Sequence, residues 1–181
     1  MAVSAKRCWR AEHDGSVALV NNVMDGLPED FDPCDVLYAE PAWRHGFEKF
    51  NRRAGLKEPA YTYEEYVSAI GKIVTEAGKP AVIITGLHAR RRFPAANQWI
   101  NVVLNGHKAL ALTYDVTLEG LEGETTHHLI SRLAERFERV GDFCCGYGNT
   151  GRIFVGAGKK CVLSDHNPMC VGHIDRHWRD W

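Results

Sequence analysis

Three observations predict an α/β chain built on a mostly parallel sheet with helices on both faces. Short, nearly continuous apolar runs recur along the sequence, the pattern of strands buried on both sides. Stretches with apolar residues at helical spacing lie between them. A glycine turn, Gly146-Tyr147-Gly148, joins one apolar run to a helix-like segment, as at the ligand-binding turns of open α/β sheets.

The first run is Ser16-Val17-Ala18-Leu19-Val20. A turn-rich stretch, Gly26-Leu27-Pro28-Glu29-Asp30-Phe31-Asp32-Pro33, separates it from Asp35-Val36-Leu37-Tyr38-Ala39. Residues 61–77 carry Tyr63, Tyr66, Val67, Ile70, Ile73 and Val74 at spacings of three and four, which predicts an amphipathic helix. Thr62, with Glu65 three residues on, makes a capping box at its start, and Gly78-Lys79-Pro80 stops it. Strands are predicted at Ala81-Val82-Ile83-Ile84-Thr85 and at residues 108–114, and a helix over residues 126–137. The glycine turn and its helix follow, then a strand at Cys161-Val162-Leu163 and a short helix opening at Pro168. With no internal repeat and no linker, residues 1–181 are expected to form one domain.

A chain of 181 residues buries about 70% of its unfolded surface without disulfides or metals. No apolar run approaches the ~20 residues of a membrane span, and Met1-Ala2-Val3-Ser4-Ala5-Lys6-Arg7 lacks the apolar segment of a secretory leader. The six cysteines show no C-x-x-C spacing, which suits a reducing compartment, and a cytoplasmic location is expected. Cys170, His173 and His177 share a helical face, with His166 and Cys161 near in sequence. Their spacing matches no common ligand pattern, and no metal is assigned. A net charge of −1 argues against gripping nucleic acid by bulk charge, so such binding needs a local basic patch. The one dense cluster is His88-Ala89-Arg90-Arg91-Arg92-Phe93. Arg90, Arg91 and Arg92 are candidates for phosphate contact, and a solvated charged loop is the alternative.

Two loops carry the chemistry. The run ending in Asp142 leads through Cys144 and Cys145 to Gly146 and Gly148, where missing side chains let backbone approach a ligand. Asp165 ends the next apolar run, roughly 20 residues on, where an acidic side chain holds a ribose diol in nucleotide-like sites. Glu40-Pro41-Ala42-Trp43 follows the second strand directly, at the end where open sheets bind ligands. Its carboxylate accepts hydrogen bonds, its proline stiffens the loop, and its indole offers a face for stacking on a base.

Together these features resemble the amino-methyltransferases of DNA, which use S-adenosyl-L-methionine (AdoMet) to methylate adenine N6 or cytosine N4. Glu40-Pro41-Ala42-Trp43 falls on their motif Asp/Asn/Ser-Pro-Pro-Tyr/Trp/Phe. Residues 141–151 resemble their "G-D…D-P-F-x-G-S-G-T-T-G", with Asp142, Cys145, Gly146, Gly148, Thr150 and Gly151 in step. Counting on without a gap brings Asp165 to the acidic position and Asn167-Pro168 to the family's "D-P". Leu19-Val20-Asn21-Asn22 through Leu27-Pro28 resembles the opening strand and turn. The order is permuted, with the catalytic motif before the cofactor motif.

The resemblance implies a Rossmann-like class I methyltransferase fold, AdoMet as cofactor, and DNA as partner, with RNA left open. It implies transfer to an exocyclic amine, adenine N6 above others, with Glu40, Pro41 and Trp43 at the transfer centre. Asp142, Cys144, Cys145, Gly146, Gly148, Thr150 and His127 are then expected around the methionine part, and Asp165 at the ribose. In relatives the acidic residue and the proline carbonyl accept hydrogen bonds from the amine, while the aromatic ring stacks on a base taken out of the helix. Two residues depart from the pattern: Glu40 is a methylene longer than Asp, and Ala42 replaces the second proline. Only residues 87–126 are available for reading a target, so no separate target-recognition domain is expected. The altered loop keeps two other readings open: a non-catalytic subunit that binds nucleic acid or a partner, and a phage enzyme modifying bases on the same scaffold. A bacterial or phage-infected host cell is the expected setting, and a homo- or heterodimer remains open.

Overall fold

The computed structural model describes residues 10–53, 55 and 60–181; the opening residues discussed above, and Cys8, lie outside the described residues. Among the described residues, eight strands form one sheet: β1 (Arg10–His13), β2 (Ser16–Val20), β3 (Val36–Ala39), β4 (Ala81–Thr85), β5 (Gln98–Leu104), β6 (His107–Tyr114), β7 (Arg139–Asp142) and β8 (Lys160–Asp165). Their spatial order is β1-β2-β8-β7-β3-β4-β6-β5, with the five from β2 to β4 parallel. β1 and β6 run against them. Helices α1 (Arg44–Arg53) and α2 (Tyr63–Glu76) lie on one face, and α3 (Thr126–Arg136), α4 (Asn149–Gly156) and α5 (Pro168–His177) on the other.

Side chains of the central strands alternate between two cores, which is why their sequences are apolar throughout. Val36, Tyr38, Val82, Ile84 and Val140 pack toward α3, α4 and α5, while Leu37, Ala39, Ala81 and Ile83 pack toward α2. The capping box forms as predicted: Glu65 N–H donates to Thr62 Oγ1 at 3.2 Å, and Thr62 N–H to Glu65 Oε2 at 2.7 Å. The predicted apolar stripe of α2 is buried.

Among the described residues, two strands and one α-helix lie beyond those the sequence pattern predicts. β1 is a short polar edge strand, and β5 leaves Trp99 and Asn101 exposed, so neither shows a continuous apolar run. Both are held by two-residue hairpin turns with positive φ at each position, Asp14-Gly15 (45° and 75°) and Asn105-Gly106 (49° and 80°). α1 is mostly polar and is anchored to the core by Phe47, so its apolar period is weak.

β7 occupies the middle of the sheet, between β3 and β8. Asp35 Oδ2 accepts the N–H groups of Glu138 (3.1 Å) and Arg139 (2.8 Å), fixing where β7 begins beside β3. A Cβ at Gly141 would stand 2.6 Å from Phe31 Cδ1 and 3.1 Å from Cys34 Sγ, so this strand admits only glycine beneath the Phe31 ring. Gly141→Ala is therefore expected to cost about 1–3 kcal/mol by overpacking. Urea denaturation measures it, and Phe31→Leu in the same chain should recover part of the loss.

Candidate functional site

Parallel pairing places two distant loops at one edge. Tyr38 pairs with Asp142 and Asp142 with Leu163, so β3, β7 and β8 end nearly level. Phe143 N–H donates to Tyr38 O at 3.2 Å, carrying the pairing one residue past β7. Glu40-Pro41-Ala42-Trp43 therefore leaves β3 beside the Asp142-to-Gly148 turn that leaves β7.

The glycine turn is tied to the end of β8. Cys145 N–H donates to Ser164 O (3.0 Å) and Gly146 N–H to Asp165 Oδ2 (2.9 Å). Asp165 Oδ1 accepts from Asn167 N–H (2.8 Å) and has His166 Nδ1 at 3.5 Å, so both oxygens already brace backbone, and Oδ2 keeps a second lone pair for a ligand. Gly146 (φ 50°) has nothing within 4 Å of where a Cβ would stand. Gly148 (φ 85°) differs: a Cβ there would meet Trp181 Cη2 at 2.5 Å and Ile174 Cγ1 at 2.9 Å. Gly146 thus faces open space, whereas the missing side chain of Gly148 makes room for protein. Gly151, likewise, lets α4 approach Leu163 and Trp181. Tyr147 turns outward against the His173 ring.

Carboxyl groups gather at this edge. Burial raises Asp142 to about 7, opposed by the Thr150 hydroxyl and the Cys144 N–H; the charges of Glu40 and Asp165 add to the rise. Cys144 N–H donates to Asp142 Oδ1 at 3.0 Å. Glu40 is also pushed to about 7 by burial, with the nearby Tyr38 hydroxyl pulling it down. That hydroxyl is fully buried and falls short of a complete hydrogen bond to any described group. Burial raises the Cys144 and Cys145 thiols well above the usual range, so both are neutral and neither is an activated nucleophile. The Asp142 and Glu40 carboxyls thus become anionic only near and above pH 7, and a cationic ligand beside them would favour the ionised form.

Trp43 packs its indole on the backbone of Gly86, just past β4; a Cβ there would stand 3.6 Å from Trp43 Cδ2. Ala42 N–H donates to the Tyr66 hydroxyl at 3.3 Å, which lies 3.7 Å from Cys144 Sγ. Tyr66 and Gly86 were not among the predicted site residues. Tyr66 reads in sequence as one more apolar position of α2, though a run of Tyr61, Tyr63 and Tyr66 at the mouth of a helix is a usable signal.

The remaining predicted residues are more peripheral. His127 is exposed on the first turn of α3, whose start docks on the end of β5 through Val103 N–H to Glu124 O (2.8 Å), and its ring neighbours that of His128. Arg90, Arg91 and Arg92 lie on the 3-10 segment Leu87–Arg92 after β4. Arg90 stacks on Trp99 at 4.3 Å and Arg92 pairs with Glu64 at 2.5 Å, which leaves Arg91 the more available for phosphate.

Comparison of the sequence with family profiles and with curated proteins gives no match. Solved structures do resemble it. TTHA0409 of Thermus thermophilus, a candidate DNA modification methylase, superposes with a TM-score of 0.57 at 13% identity, over 89% of this chain and 93% of that one. The same protein is also known as a complex with AdoMet (TM-score 0.57, 13% identity, 89% and 92%). M1.HpyAVI in complex with SAM gives 0.56 at 12% identity, over 88% and 98%. The fold is the Rossmann-like class I methyltransferase fold. At such identities the likeness is one of fold alone.

Asp142 has a testable consequence. Its native pKa (about 7) exceeds the ordinary 3.8, so the stability it contributes is full below pH ~4 and is lost as pH rises through 7. Wild type should be less stable at pH 8 than at pH 5, by an amount on the order of a few kcal/mol. Asp142→Asn should remove about half of this slope in urea melts, the remainder belonging to Glu40, whose carboxyl is raised to the same range.

Proposed function

We propose that this chain is an AdoMet-dependent DNA methyltransferase acting on an exocyclic amine, adenine N6 above others, with its catalytic motif before its cofactor motif. The carrying observation is the shared edge: the acid-proline-aromatic loop and the open glycine turn leave neighbouring strands at one level. The fit to AdoMet rests on the empty space at Gly146 and on Asp142 and Glu40, carboxyl groups without a cationic partner among the described residues, facing a ligand whose sulfonium and ammonium are cationic. That two fold neighbours were solved with this cofactor supports the reading.

Asp142, Gly146 and Thr150 would hold the methionine part, with Cys144 and Cys145 shaping the wall, His127 at the rim and Asp165 at the ribose. When bound, AdoMet would supply the methyl group, its sulfur keeping the electron pair as the amine nitrogen bonds to carbon and sheds a proton. The Glu40 carboxylate and the Pro41 carbonyl accept hydrogen bonds from the amine and aim its lone pair, while Trp43 stacks on the base. Rate then comes from positioning and from excluding water. Arg91, with Arg90 and Arg92 beside it, is placed to steer the DNA backbone. Residues 1–181 would act as one domain, in a bacterial or phage-infected cell.

AdoMet should raise the melting temperature of the free protein. Asp165→Ala should weaken AdoMet binding about 10–100-fold in calorimetry. Glu40→Ala should leave that affinity near wild type yet abolish transfer of labelled methyl to unmethylated DNA; transfer at the wild-type rate would remove Glu40 from the centre.

A pH profile tests the same assignment. The ionised Glu40 carboxylate is the stronger acceptor for the amine, so kcat/KM should climb by up to about tenfold per unit below pH 7 and level off above it. Glu40→Gln should be slow, with that limb gone.

A further inference from the structure

The replacement of a second proline by Ala42 removes a ring that would fix the loop and adds an N–H that must find a partner. Tyr66 supplies that partner: the amide donates to Oη at 3.3 Å. Accepting there leaves the hydroxyl proton for Cys144 Sγ, 3.7 Å away in the glycine turn. Burial keeps both the phenol and the thiol protonated, so the contact is not broken by ionisation near neutral pH. The ring is held on α2 among Phe47 (5.2 Å between centroids), Tyr61 (6.4 Å, stacked) and Tyr63 (6.4 Å). One phenol thereby ties the loop after β3 to the loop after β7.

The Pro41–Ala42 peptide is planar and trans, so its carbonyl points away from its N–H. Whatever holds the N–H also fixes the carbonyl. We propose that Tyr66 is a positioning residue whose hydroxyl orients the Pro41 carbonyl toward the target amine and sets its distance from the glycine turn, replacing the constraint of a second proline. The inference rests on the methyltransferase reading above. Donation of the amide hydrogen to Oη also polarises the carbonyl, making it a stronger acceptor.

Tyr66→Phe keeps the ring and removes the oxygen. It should lower kcat for methyl transfer to unmethylated DNA by about 10–100-fold, the scale of a 1 Å misplacement, with AdoMet affinity unchanged. Hydrogen exchange at the Ala42 amide, followed by NMR, should accelerate by about tenfold or more. In an Ala42→Pro chain, which has no such amide and a fixed φ, adding Tyr66→Phe should change kcat little. Equal losses in both backgrounds, an undiminished kcat in Tyr66→Phe, or unaltered exchange at Ala42 would overturn the proposal. If Ala42→Pro does not fold, the exchange rate and the split between kcat and AdoMet affinity in Tyr66→Phe decide it. An active wild type with an indifferent Tyr66→Phe removes this role alone, whereas a wild type that binds AdoMet and transfers nothing overturns the methylation reading and this role with it.

Discussion

The seating of β7 between β3 and β8 is the constraint on which the rest depends. A parallel ladder delivers strand ends to one edge, but the level at which each loop departs is set by register. Here the register is pinned twice: Asp35 catches the amides where β7 begins, and Phe143 N–H meets Tyr38 O where it ends. Glycine at 141 lets Phe31 lie over the strand, and side-chain alternation sends Asp142 to the same side as Tyr38. A slip of one residue would turn Asp142 to the opposite face and separate it from Glu40. The meeting of the two loops is thus a product of backbone hydrogen bonding, and Glu40 and Asp142 occupy places the ladder has prepared.

Much of this was legible in the sequence because the relevant signals are local. The central strands carry unbroken apolar runs, α2 carries both its stripe and its capping box, and the glycine turn with Asp165 is a matter of spacing. β1 and β5 were less visible because edge strands bury one side only, although Asp14-Gly15 and Asn105-Gly106 are strong hairpin signals that point to them. What no local pattern discloses is which partner a residue meets across the fold. Gly148 looks like a ligand-facing glycine until Trp181, the last residue, is found in the space of its missing side chain. Tyr66 looks like core until its hydroxyl is found between two loops. Arg92 looks free until Glu64 is found beside it.

The charges on the acidic loops and on the basic segment are managed in opposite ways, and this bears on what drives binding. On the basic segment, Arg92 is paired with Glu64 and Arg90 lies over Trp99, so a phosphate arriving there competes with contacts already made. With a net charge of −1, little long-range attraction for DNA is left over. On the acidic side, Asp142 and Glu40 have no cationic partner among the described residues, and their burial is unfavourable once they ionise. A cationic ligand relieves that penalty, so the free energy by which these carboxylates destabilise the empty protein returns as affinity for the ligand. On the methylation reading proposed above, electrostatics would be concentrated on the small cation, and the target base would be held by shape, by stacking on Trp43 and by the two acceptors at Glu40 and Pro41. Selectivity would then lie in the geometry of one short loop, where the tether from Ala42 to Tyr66 would matter more than any added positive charge.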